Sequence, residues 1–160
     1  GLFGCELFVK GDDVWANEIS PRPHDTGMVT MMTHPPGFSE QGLHVRAVLG
    51  LPVPSFKRDG FNVIEPLKPG ASHVIKSPHA GWDAEFGNLY NAMNMYPESA
   101  IRFFGKTEAR LHRRMGVALA LADTAQEAKA RAQKIAHAVQ IRVAGTSFEP
   151  QDDHRMHLEL

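Results

Sequence analysis

Glu6 and Glu18 flank the turn-forming run Gly11-Asp12-Asp13 in a stretch of alternating apolar and polar residues. If a hairpin turns about Asp12, residues equally distant from it face each other, and Glu6 then opposes Glu18. Opposed side chains on an antiparallel pair lie about 4.5–5.5 Å apart at Cβ, where like charges repel. A divalent cation between them reverses the sign of that interaction. Hard Mg²⁺ in particular takes carboxylate oxygens together with substrate phosphates. The alternative is two solvated glutamates on the wet face of a hairpin.

The loop Ser20-Pro21-Arg22-Pro23-His24-Asp25-Thr26-Gly27 follows Glu18 directly and brings Arg22, His24 and Asp25 beside any metal held there. Arg22 suits contact with a transferring phosphoryl group, and Asp25 suits an amine or hydroxyl of a substrate. A rigid proline turn in which Asp25 caps local amides is the other reading. Lys106, Arg113 and Arg114 form the densest cationic stretch, with Arg102, Arg110 and His112 nearby. Such a cluster either binds a phosphomonoester dianion, arginine as a fork and lysine as a point charge, or is a solvated face. Gly105-Lys106-Thr107 imitates the end of a P-loop, but Ala100 stands where that pattern needs glycine. Met28, Met31 and Met32 read as core filler, and Cys5 as an inert buried thiol. His154 and His157 are the only histidines with metal-like spacing, and no Ser/His/Asp nucleophile pattern assembles.

These residues need elements to position them. Leu2 to Ser20 reads as the hairpin, with Cys5, Leu7, Val9, Trp15 and Ile19 on an apolar face against a buried layer. Glu6, Phe8, Ala16 and Glu18 fall on the other face. Two prolines and a glycine make Ser20–Gly27 a shaped loop, neither helix nor central strand. Ser39 to Leu49 fits a short helix closed by Gly50 and Pro52. A Pro/Gly-rich passage from Pro52 to Gly70 puts a domain boundary near its start. Beyond it, Ala71–Lys76 and Ala100–Phe104 read as strands, with a short helix between Ala84 and Met93. The almost unbroken apolar run in Arg114–Ala122 predicts a buried strand. Thr124-Ala125-Gln126-Glu127 is a capping box opening a helix that buries Ala128, Ala132, Ile135, Ala136 and Val139. Ile141–Val143 reads as a last strand, and residues 145–160 as a loose tail.

A length of 160 residues suits one domain or one and a half. With 42% hydrophobic and 22% charged residues the composition is globular, and a net charge of −1 argues against nucleic-acid and membrane-surface binding. A single cysteine excludes an internal disulfide framework and points to a reducing, cytoplasmic setting. No apolar run reaches the ~20 residues of a membrane span. The chain opens on Gly1-Leu2-Phe3 without an initiator Met, so a fragment of something longer is expected.

Gly4-Cys5-Glu6-Leu7-Phe8-Val9 and Asn17-Glu18-Ile19-Ser20-Pro21-Arg22-Pro23-His24-Asp25-Thr26-Gly27 resemble the closing hairpin and loop of the ATP-grasp enzymes of purine biosynthesis. Among these they are most similar to the formate-dependent phosphoribosylglycinamide formyltransferases. The likeness continues through Leu43-His44-Val45-Arg46-Ala47, Leu49-Gly50-Leu51-Pro52, Phe104-Gly105-Lys106 and Arg113-Arg114-Met115-Gly116-Val117. Lys106 and Arg113-Arg114, with Asp25-Thr26-Gly27, separate it from the related ATPase subunit of phosphoribosylaminoimidazole carboxylase.

The resemblance implies an α+β fold, in which the end of an ATP-grasp sheet (residues 1–52) joins a small β-rich C-terminal domain with a packed helix (residues 53–144). It implies formylation of phosphoribosylglycinamide by formate and ATP through formyl phosphate. Glu6 and Glu18 then match magnesium ligands, and Asp25, Lys106, Arg113 and Arg114 match residues that bind phosphoribosylglycinamide. Arg22 is placed at the phosphoryl group by position only. The partners implied are small molecules (phosphoribosylglycinamide, formate and ATP), with Mg²⁺ as the metal. A homodimer is expected, with no nucleic acid and no membrane. Another purine-pathway ATP-grasp ligase, or a non-catalytic module, is the competing expectation.

Overall fold

The computed structural model describes residues 1–148. Strands β1 (Gly4–Lys10) and β2 (Asp13–Ser20) form an antiparallel hairpin. Asp13 already pairs with Lys10, so the turn is the two residues Gly11-Asp12 rather than a longer loop. Gly11 has φ of 59°, as the first central position of a type II′ turn requires. From there the register runs Val9 opposite Val14, Phe8 opposite Trp15 and Leu7 opposite Ala16. A bulge then leaves Asn17 unpaired, after which Glu6 faces Glu18 and Cys5 faces Ile19.

The expected opposition of the glutamates therefore holds, but only because the bulge shifts β2 by one residue. The same shift overturns the expected faces. Trp15 lies with Phe8 on the glutamate-bearing face, and Ala16 and Val14 lie with Leu7 and Val9 on the other. The expected buried layer is also absent among the described residues. Leu7, Phe8, Val9, Val14, Trp15 and Ile19 are between 51% and 67% exposed. Cys5 is exposed too, not a buried thiol.

The segment after β2 stays irregular through His24, where the prolines sit, and then departs from the loop expected as far as Gly27. Asp25–Val29 coil into a 3₁₀ turn that runs on into α1 (Thr30–Thr33). Met28 and Met32 are half-buried and Met31 is exposed, so none is core filler. Helix α2 (Glu40–Val48) starts where expected, its N-cap Ser39 accepting from the Gly42 amide at 3.2 Å. Within the Pro/Gly-rich passage the structure forms a second hairpin that was not expected, β3 (Phe56–Arg58) and β4 (Phe61–Val63). Asp59 and Gly60 at its tip have φ of 51° and 84°, the pair of left-handed residues that a type I′ turn demands.

The remaining residues build the core. Strands β5 (Gly70–Lys76), β7 (Ser99–Phe103) and β8 (Arg114–Leu121) form an antiparallel sheet in the order β5-β8-β7. The central strand β8 is buried on both faces from Met115 to Ala120, which is why its sequence is an apolar run rather than an alternation. Helix α4 (Ala125–Ala138) packs on β5 and β8 through Ala128, Ala132, Ile135 and Ala136. Thr124 Oγ1 accepts from the Glu127 amide at 3.1 Å, but the Glu127 carboxylate takes Arg131 one turn on, so only half of the expected capping box forms.

Between Ala84 and Met93 the expected helix shrinks to α3 (Leu89–Asn94). Glu85–Gly87 is instead strand β6, paired with β9 (Gln140–Arg142). Of the tail only residues 145–148 are described, beginning with a turn in which Thr146 donates to the Val143 carbonyl. The rest, with His154 and His157, lies outside the described residues.

Candidate functional site

The hairpin, the 3₁₀ turn and the mouth of β8 meet in one place. Glu18 accepts from Ser20 Oγ at 2.6 Å, and Glu6 accepts from Asn17 Nδ2 at 3.2 Å, so the bulged residue steadies one carboxylate of the pair. His24 connects the pair to the turn. Its Nε2 lies 3.8 Å from Glu6 Oε1, and its Nδ1 lies 3.3 Å from Asp25 Oδ1 and 2.9 Å from Thr26 Oγ1. The imidazole is only 13% exposed and lies between the Glu6 and Asp25 carboxylates.

Asp25 bridges the two ends of the chain. Arg114 NH1 reaches its carboxylate at 2.9 Å across eighty-nine residues of sequence. The 3₁₀ turn packs on β5 and β8, which holds Asp25 against the start of β8. Lys106 Nζ donates to the Arg114 carbonyl at 2.7 Å and lies 5.1 Å from the centre of the Phe104 ring. Burial pushes the Lys106 ammonium below its usual range, the Arg113 and Arg114 charges push it further, and Asp25 partly restores it. The Arg113 and Arg114 charges thus both act on Lys106, a repulsion that an added dianion would relieve.

Arg113 is in loop conformation and β8 begins at Arg114, where a register shift opposite Lys76 disturbs the pleat. Regular strand neighbours point to opposite faces, and the two adjacent arginines take different partners, Arg114 on Asp25 and Arg113 on Glu108. Arg113 itself is turned onto Glu108, donating to its carbonyl at 2.7 Å and to its carboxylate at 3.2 Å. Hydrogen bonds from Arg110, then the charges of Arg110 and Arg113, hold the Glu108 carboxyl below its ordinary range. Arg22 stays apart, exposed, with NH1 on the Pro23 carbonyl at 3.0 Å.

Sequence reasoning missed three participants. Glu40 reads as an ordinary acidic residue in the first turn of a helix, yet it is buried and accepts from the His24 amide at 3.0 Å. Glu108 reads as one charge among many, yet it is the partner of Arg113. Gly27 reads as a turn residue, yet a Cβ there would strike the Glu40 carboxylate. The only signal for Glu40 was its position after the N-cap Ser39.

The model of the family described as "PurT, C-terminal" matches residues 70–139, and that of the "ATP-grasp domain" matches residues 1–38. A formate-dependent phosphoribosylglycinamide formyltransferase of Pyrococcus furiosus is 54% identical over 99% of this chain. The likeness runs along almost the whole of this chain. The chain spans 37% of the length of that relative and corresponds to a C-terminal portion of it. A solved structure of glycinamide-RNase-transformylase T from Mycobacterium tuberculosis is 30% identical, with a TM-score of 0.63 over 87% of this chain and 32% of that one. N5-carboxyaminoimidazole ribonucleotide synthetase from Thermotoga maritima superposes with a TM-score of 0.72 over 88% of this chain and 37% of that one, at 24% identity. That last likeness is one of fold. The α+β architecture expected from the family's motifs is the one observed. No described helix is long and apolar enough to cross a membrane.

Proposed function

We propose that this chain supplies the metal-binding and substrate-binding end of a formyltransferase that uses formate and ATP to formylate phosphoribosylglycinamide. The observation that carries this reading is the unbroken line of polar groups Glu18, Glu6, His24, Asp25, Arg114 and Lys106. It runs from a carboxylate pair suited to a hard cation to a cation pair suited to a phosphate.

Glu6 and Glu18 fit Mg²⁺ by donor chemistry. Both are exposed carboxylates on one face of a hairpin, His24 Nε2 lies 3.8 Å from Glu6, and among the described residues no group of three or more acidic, histidine or cysteine side chains is placed to hold a metal ion. Mg²⁺ commonly takes one or two carboxylates and completes its shell with water and substrate phosphates. When bound it lowers the charge repulsion between the ATP phosphates and incoming formate. A formate oxygen attacks the γ-phosphorus, giving formyl phosphate and ADP. The glycinamide amine then attacks the formyl carbon, loses a proton, and phosphate leaves.

Asp25 holds the amine-bearing end of the substrate, and Lys106, Arg113 and Arg114 anchor its 5-phosphate, so that binding energy far from the reacting carbon orients the amine. Arg22 would meet the transferring phosphoryl group after swinging off Pro23. In the same reading residues 1–52 close an ATP-grasp domain and residues 53–144 form the substrate-side domain. The enzyme works as a cytoplasmic homodimer, supported by the single cysteine and the exposed apolar hairpin. The deciding experiment assays the full-length parent with formate and with bicarbonate. Formate-dependent release of ADP that requires phosphoribosylglycinamide supports the proposal. Bicarbonate-dependent turnover on an aminoimidazole substrate, or no turnover, defeats it.

A further inference from the structure

Glu40 is an acidic side chain buried to 8% exposure, outside the line of groups described above. Its Oε2 accepts from the His24 backbone amide at 3.0 Å, and its Oε1 accepts from Gln41 Nε2 at 2.8 Å. Its own amide donates to Thr30 Oγ1 at 2.9 Å, and the Thr30 hydroxyl donates to the Gly27 carbonyl. The first residue of α2 therefore grips the 24–27 turn at both of its ends. A cleft of about 260 Å³ between this turn and β1 has Glu6, His24, Gly27 and Glu40 in its lining.

Gly27 shows how tightly the parts fit. A Cβ added there would collide with Glu40 Oε2 and stand 2.7 Å from Cδ, and all three of its nearest neighbours are atoms of the Glu40 carboxylate. Gly27 is not in a left-handed conformation, so its backbone would accept alanine if Glu40 were absent. The glycine is there for the carboxylate.

We infer that Glu40 is a positioning residue for the substrate end of the site. Through the His24 amide and the space at Gly27 it sets where Asp25 stands relative to Arg114. It touches none of the groups assigned to metal or phosphate, so it acts through the turn. The turn carries Asp25, while the glutamate pair sits on the separate β-hairpin. Loss of Glu40 should therefore act on the amine-bearing substrate and spare ATP. This inference rests on the function proposed above.

The test uses the full-length enzyme. Glu40→Ala should raise the KM for phosphoribosylglycinamide about tenfold or more and leave the KM for ATP within about twofold, since a displaced orienting group costs orders of magnitude only for the substrate it orients. Glu40→Gln, which keeps an acceptor for the His24 amide, should restore most of that loss. Gly27→Ala should reproduce the defect alone, yet add nothing to Glu40→Ala, because the atoms it would strike are gone. Equal losses for both substrates, or additive effects of Gly27→Ala and Glu40→Ala, would overturn the inference. If the wild-type enzyme shows no formate-dependent turnover, the proposed function fails. The same double-mutant cycle read by melting temperature then decides Glu40: non-additivity keeps it as the strut of the turn, additivity removes it.

Discussion

At the scale of single residues, Arg114 carries the most specific expectation. Its guanidinium meets Asp25 at 2.9 Å while its carbonyl accepts from Lys106, so it ties the turn that carries Asp25 to Lys106. Arg114→Ala in the full-length enzyme should raise the KM for phosphoribosylglycinamide by about tenfold to a hundredfold, the loss expected when a charge-assisted contact worth about 1.5–3 kcal/mol is removed. The KM for ATP should stay nearly constant, and steady-state kinetics with each substrate varied in turn measures both. Glu18→Gln is expected to behave in the opposite way. It removes the charge of a carboxylate that accepts from Ser20 Oγ, and the glutamine keeps an acceptor for that hydroxyl. Mg²⁺-dependent ATP turnover should therefore fall while the thermal midpoint moves little. Wild-type turnover in that variant would restore the reading of Glu6 and Glu18 as two solvated acids.

At the scale of elements, what the sequence disclosed depended on how local the decisive interaction is. Strand β8 was legible because burial on both faces leaves an apolar run, and α4 because Thr124 and its alanine stripe are local signals. Strand β6 was not legible, since Glu85–Gly87 is extended only through pairing with residues 140–142, far along the chain. The bulge at Asn17 left no mark on the alternation either, and it is what carried Trp15 to the other face. The candidate site follows the same rule: the glutamate pair and the cation stretch were visible, whereas Glu40 and Glu108 act through contacts no spacing reveals. The packing of α4 on β5 gives two measurements. Ile135→Ala, at a fully buried position, should cost about 2–5 kcal/mol in denaturant unfolding with an unchanged slope. His73 on β5 meets His137 of α4 edge-to-face, ring centres 5.4 Å apart. Burial first, then the charges of His137, Lys76 and Lys129, lower the His73 pKa from 6.5. A depressed folded-state pKa means the unfolded chain takes up the proton first, so this contribution is intact above about pH 6.5 and is lost as pH falls through the folded value. Melting temperatures between pH 7.5 and 5 should decline, and His73→Gln should flatten that decline. An unchanged slope in the variant would remove His73 as its cause.

At the scale of the whole molecule, the contrast lies between a closed half and an open one. The β5-β8-β7 sheet and α4 enclose Ile75, Met115 and Ile135 at no more than 1% exposure. The β1–β2 hairpin shows apolar side chains to solvent on both faces, and a two-stranded ribbon alone is marginally stable in water. Leu7, Val9, Val14 and Ile19 share the face without glutamates, where contiguous apolar surface seeks a partner. The opposite face carries Phe8 and Trp15 beside Glu6 and Glu18, and bringing two copies together there would oppose like charges at close range. Self-association of this 160-residue chain should therefore run through the Leu7 face and leave the glutamates open. Sedimentation velocity across a concentration series should show a species heavier than the monomer. Val9→Lys should dissolve it without changing Mg²⁺ binding measured by calorimetry, because Val9 points away from the glutamate pair. Phe8→Lys, on the glutamate face, should leave the assembly intact. If Phe8→Lys breaks the assembly and Val9→Lys does not, the association runs through the face that carries Glu6 and Glu18, and added Mg²⁺ should then compete with it.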